Sequence, residues 1–178
     1  MTKEFERSFK LILEAEGGYS NISVDRGGPT NMGITMATLS EVLERKATIN
    51  DVQSLTVESA RRIYHERYWL PMNLDTIACD TLQLLLMDQA VNVGKAGCTK
   101  RIQNVLKIPA TLNMDLNTVA KINKSDRVKT CFDFIIATQD FYIDIVKRRP
   151  DQIIFLVGWL NRCEKLWHIV RENVEFKK

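Results

Sequence analysis

The sequence predicts a mainly α protein with one small β-hairpin, and three observations support that reading. Apolar residues recur at intervals of three and four along most of the chain. The breaks in that pattern are few and fall at helix-stopping residues such as Pro71, Gly94, Pro109 and Pro150. The glycine-rich stretch over 25–35 separates two helical runs, and the flanking segments Tyr19–Val24 and Met32–Thr35 are placed to pair as a short hairpin.

The opening helix carries Phe5, Phe9 and Ile12 on one face. At the helical period Glu16 falls within about 20° of the centre of that stripe, so an acid continues an apolar face. Glu14 points the other way, beside Lys3, Arg7 and Lys10, in a solvated ion-pair setting. Gly17 and Gly18 then end the helix and leave Glu16 at the negative end of its dipole. Dipole and partial burial both favour the neutral acid, which makes Glu16 a candidate proton donor. The plainer reading is a helix-end glutamate that reaches water.

A second carboxylate, Asp25, follows in the glycine-rich stretch, with the hydroxyls of Thr30 and Thr35 beyond it. Two carboxyl groups flanking a sugar bond, one protonated and one ionised, are the equipment of glycoside hydrolysis. Asp25 capping its own loop amides is the alternative.

Thr35 is expected to cap a helix running through Glu44, and Thr56 to open one carrying Ala60, Ile63 and Tyr64 toward Trp69, stopped by Pro71. Leu82 to Val93 is apolar nearly all round, as in a helix buried at the centre of a bundle, and Gly94 ends it. Within it Asp88 and Asn92 share a face, either lining a polar cleft or forming a satisfied buried pair. Lys95 to Thr99 reads as a short connection into a helix ending near Leu106, followed by a long turn region from Pro109. This organisation suggests a lobe over 1–94 that includes the central helix, and a helical lobe over 95–178 packed closely on it. Ser125 to Val146 predicts a long helix packing through Phe132, Ile135, Ile136, Tyr142 and Ile143, and a last helix starts at Asp151 or Gln152. Trp159 and Trp167 share a face of that helix and read as core. Tyr19, Tyr68 and Trp69 are better candidates for covering the apolar face of a sugar.

The chain of 178 residues, 45% hydrophobic, is long enough for one sizeable core. Its formal charge of +3 suits approach to an anionic polymer, but no concentrated Lys/Arg stripe marks a nucleic-acid binder. Charges at Lys3, Glu4, Glu6 and Arg7 interrupt the first helix, so neither a signal segment nor a stable membrane insertion is expected, and synthesis in the cytoplasm is. Cys79, Cys98, Cys131 and Cys163 lack metal-ligand spacing and read as free thiols; oxidation outside that compartment is able to join some, in pairs that spacing does not assign. His65 and His168 read as structural, and no Gly-x-Ser-x-Gly elbow supplies an acyl-transfer nucleophile.

Glu16-Gly17-Gly18-Tyr19, Asp25 with Gly27-Gly28, and Thr30-Asn31-x-Gly33-Ile34-Thr35 together resemble glycoside hydrolase family 108, the N-acetylmuramidases found among phage endolysins. The spacing from Glu16 to Asp25 also resembles that of phage lysozymes, although their five-residue step from aspartate to threonine lands here on Asn31 rather than Thr30. Asp88-Gln89-Ala90-Val91-Asn92-Val93-Gly94, a helix with Gln103, and Gly158-Trp159-Leu160-Asn161-Arg162 resemble the family's peptidoglycan-binding region, without its usual Asp-Gly turn. The resemblance implies a lysozyme-like fold, no cofactor or metal, and bacterial peptidoglycan as substrate, reached after release from the cytoplasm. The bond implied joins N-acetylmuramic acid to N-acetylglucosamine. Glu16, Asp25 and Thr30 become the catalytic candidates, with Tyr19, Asn31, Tyr68, Trp69, Asp88 and Asn92 as substrate-binding candidates. A non-catalytic peptidoglycan-binding or regulatory helical protein is the alternative.

Overall fold

The computed structural model describes residues 1–16, 19 and 29–174, and the chain divides into two compact units, Met1–Leu70 and Pro71–Lys178.

The first unit opens with α1, Lys3–Glu16, whose first turn carries Glu4 and Glu6 at the positive end of the helix dipole. Phe5, Phe9 and Ile12 are buried, as their spacing predicts, while Lys3, Arg7, Lys10 and Glu14 are exposed. A hairpin follows, but not from the expected arms. β1, Thr30–Asn31, pairs antiparallel with β2, Ile34–Thr35, placing Thr30 opposite Thr35 and Asn31 opposite Ile34. The connection is Met32-Gly33, both at positive φ (50° and 72°), the two-residue turn whose twist suits a hairpin. Met32 to Thr35 therefore contains the turn as well as a strand, and of the other expected arm only Tyr19 is described, outside any strand.

Thr35 caps α2, Met36–Leu43, by accepting from the Thr38 amide at 3.1 Å, and Glu44 ends it in a left-handed conformation. A short α3, Ile49–Gln53, was not anticipated; a capping box between Thr48 and Asp51 starts it. Thr56 caps α4, Val57–Tyr64, as expected. Beyond Tyr64 the backbone widens into a π-helical turn, His65–Trp69, then tightens into a 3-10 turn, Leu70–Met72, that contains Pro71. The core of this unit is aromatic. Phe5 meets Trp69 edge-on at 5.4 Å, and Phe9 meets Tyr64 at 5.7 Å. Arg61 on α4 pairs with Glu6 on α1 at 3.4 Å and lies over the Phe9 ring.

The second unit is built around α5, Asp80–Val93, in which every residue from Thr81 to Ala90 is buried. Gly94, at φ 81° and ψ 150°, reverses the chain in one residue, so α6 begins at once as Lys95–Val105. The expected connector at Lys95 to Thr99 is thus helical, because one residue in a conformation open to glycine suffices. The long turn expected after Pro109 contains α7, Leu116–Lys124, started by Asp115, whose side chain accepts from the Thr118 amide at 2.7 Å. α8, Arg127–Arg148, and α9, Ile153–Val174, are joined by the 3-10 turn Pro150–Gln152 and pack along each other. Ile135 and Tyr142 on α8 are buried as expected, whereas Ile136 and Ile143 face outward. α5 packs on α6, α8 and α9. The compact units therefore divide at Leu70 rather than at residue 94, because the central helix is enclosed by the helices that follow it.

Candidate active site

Glu16 is the last residue of α1, a helix anchored by Phe5, Phe9 and Ile12 in the aromatic core. Glu14, two residues earlier, is exposed. Tyr19 follows with 41% of its surface exposed. Asp25 lies outside the described residues.

Thr30 sits half-buried on β1, and its neighbour Asn31 is turned inward. The Asn31 amide donates to the Val52 carbonyl at 2.9 Å and the residue is buried, so it ties the hairpin to α3 instead of facing a ligand. A second tie comes from Tyr64, whose hydroxyl donates to the Met32 carbonyl in the turn at 2.9 Å. Thr35 completes the frame by serving both β2 and the cap of α2. Thr30 is thereby held on a short but fixed element.

The aromatic candidates separate. Trp69 is fully buried against Phe5 and belongs to the core, because its large ring fills the space beneath α1. Tyr68 is half-buried with its ring 5.7 Å from that of Tyr64, and it retains an accessible edge.

In the second unit Asp88 is buried, but its carboxylate is paired with Arg162 and not with Asn92. It is 2% exposed, and its carboxylate accepts from Arg162 Nε at 3.0 Å and lies 2.8 Å from Arg162 Nη2. Gln89 Nε2 donates to Asp88 Oδ2 at 3.1 Å. Asn92 is exposed and donates to the Asp88 main-chain carbonyl at 2.7 Å. The carboxylate is consequently committed to Arg162 from α9, a partner seventy-four residues away in sequence that helical spacing does not reveal. Trp159 is half-buried and stacks on Tyr142 with ring centres 5.0 Å apart, rather than being enclosed in the core. Gln103 is buried and donates to Thr118 at 3.0 Å, joining α6 to α7.

Residues that sequence reasoning missed are supports: Tyr64, Met32 and Val52, which hold the hairpin. The signal for the turn was Met32-Gly33 between the short pairs Thr30-Asn31 and Ile34-Thr35. Among the described residues no three His, Cys, Asp or Glu side chains are grouped to hold a metal ion. No helix of the described residues is long and apolar enough to cross a membrane.

The fold resembles that of Brucella abortus SagA, with a TM-score of 0.83 and 28% identity, covering 93% of this chain and 92% of SagA. The likeness and the helices with their small antiparallel hairpin define a mainly α, lysozyme-like protein. Residues 9–94 match the glycosyl hydrolase 108 family, and this match together with the likeness to SagA supports a glycoside hydrolase. The match runs from Phe9 on α1 through the hairpin to Gly94, the end of α5. No curated protein matches the chain. Family and fold together support peptidoglycan hydrolysis.

Proposed function

We propose that the protein cleaves the glycan strand of bacterial peptidoglycan at the bond between N-acetylmuramic acid and N-acetylglucosamine, with Glu16 as general acid. The observation that carries the reading is the position of Glu16: it ends α1, inside the family match, on a helix whose apolar stripe is anchored in the core. In this scheme Glu16 protonates the departing glycosidic oxygen, Asp25 stabilises the oxocarbenium charge or activates water, and Thr30 positions that water. Tyr19 and the exposed edge of Tyr68 supply surface for sugar rings. A carboxyl separation of about 6.5–9.5 Å accords with inversion, and one of about 5 Å with retention. The region around α5 and α9 contributes binding to the wall polymer, and the enzyme acts after release from the cytoplasm.

The test is digestion of purified peptidoglycan followed by mass analysis of the new reducing ends. N-acetylmuramic acid at those ends is the expected result; N-acetylglucosamine ends, or release of peptides alone, would overturn the assignment. Asp25→Asn should lower turnover more than binding, and Thr30→Ala should lower it less.

A further inference from the structure

We propose that the groove between α6 and α8 binds a short peptide by its free carboxylate, which seats on Arg101, and by its ammonium, which pairs with Asp140. The groove lies wholly within the second unit and has a volume of about 560 Å³. That is room for a ligand of a few residues and more than a simple ion fills. Two small residues help to leave the space open where the helices pack: Gly97 stands one turn before Arg101 on α6, and Ala137 one turn before Phe141 on α8.

Arg101 is the group that calls for a ligand. It lines the groove and is 7% exposed, yet its buried Nε and Nη2 have no hydrogen-bond partner among the described residues. Its guanidinium lies over the Phe141 ring, 4.2 Å from the ring centre, so an aromatic face covers one side of it. Burial pushes its pKa down, and the titratable groups that act on it most are Cys98, Tyr142 and Cys163. Each of these is itself pushed up by burial, so all three are neutral near pH 7 and none supplies a counter-charge. Arg162 is the contrast in the same unit, because Asp88 meets it at 2.8 Å. A guanidinium enclosed without such a partner is costly to the fold, and a carboxylate matches its fork in shape and charge.

The rest of the lining selects among anions. Lys100 and Arg148 add positive charge at the exposed edge, and Asp140 and Asp144 add negative charge. Asp144 is already engaged, 3.3 Å from Lys147 Nζ, whereas Asp140 has no ion pair among the described residues. A phosphate, with its greater charge, is opposed by both carboxylates. A zwitterion satisfies the two signs together, its carboxylate on Arg101 and its ammonium on Asp140. The inference is independent of the glycan-cleavage reading, since the groove contains no residue of the first unit and its test needs no glycan.

The experiment titrates trialanine into the full chain, read by calorimetry and by NMR of the amides and of the Arg101 Nε–H. Saturable binding with Kd of about 1 mM or tighter is expected, with shifts confined to α6 and α8. The C-terminal amide and the N-acetylated peptide should each bind at least about tenfold more weakly, and acetate and inorganic phosphate should not compete at equal concentration. Arg101→Met should abolish binding, and Asp140→Asn should weaken trialanine while leaving the N-acetylated peptide unchanged. If Arg101→Met fails to fold, Ala137→Leu, which fills the groove from α8, and the Arg101 Nε–H shift in the natural chain decide instead. No saturable binding, equal affinity for the amide, phosphate competing as well as the peptide, or binding that survives both Arg101→Met and Ala137→Leu would overturn the proposal.

Discussion

Asp88 and Arg162 show how much one buried charge depends on its partner. The Asp88 carboxylate is 3% exposed and the Arg162 side chain 17%, so solvent screens the pair weakly. Replacing Asp88 by Ala leaves a guanidinium in a poorly solvated place, and we expect a loss of about 3–5 kcal/mol in denaturant unfolding. An unfolding free energy unchanged in Asp88→Ala contradicts the structural role and returns Asp88 to the cleft. Trp159 has a different balance. Its ring is half-buried and stacked on Tyr142. Trp159→Ala should therefore cost about 1.5–3 kcal/mol, below the cost of an enclosed tryptophan, as read by thermal and denaturant unfolding together. A stable Trp159 variant that binds glycan poorly would make this surface a recognition site instead.

Among elements, the hairpin is the smallest and depends most on its neighbours, since two residues in each strand cannot hold a register unaided. Tyr64→Phe removes the hydroxyl that donates to Met32 and leaves that carbonyl without this donor. We expect a loss of about 1 kcal/mol, with turnover on peptidoglycan falling if the hairpin places Thr30. Parental turnover and stability in this variant would show that the hairpin is held by other contacts. Elements with a long apolar period or a clear cap were legible from the sequence: α1 from Phe5, Phe9 and Ile12, α2 from Thr35, α4 from Thr56 and α5 from its apolar run. α3 and α7 were not, because five and nine residues carry too little periodicity and their starts rest on the side chains of Thr48 and Asp115. The exposure of Glu14 was legible from helical phase. The burial of Asp88, Trp69 and Asn31 against distant partners was not, because Arg162, Phe5 and Val52 meet them only in the folded chain.

For the whole molecule, acid should weaken the fold through its capping carboxylates. Hydrogen bonds from Arg45 and Thr48 hold Asp51 below the usual carboxylate range, and those from Thr118 do the same for Asp115. A group depressed in the folded state stabilises above its unfolded value and loses that contribution as pH falls through the folded one. The thermal midpoint should thus fall on acidification below about pH 4, with Asp51→Asn and Asp115→Asn flattening that decline. An acid limb identical in the double variant would place the sensitivity elsewhere.

The central claim is that Glu16 donates the proton in glycan cleavage, and Glu16→Gln compared with Glu14→Gln on purified peptidoglycan tests it most directly. The substitution preserves shape and removes the transferable proton, while Glu14 lies on the exposed side of the same turn. The account predicts a folded Glu16→Gln protein whose turnover is reduced by about 100-fold or more, beside a Glu14→Gln protein of parental activity. Parental turnover in Glu16→Gln, or an equal loss in both variants, would contradict it.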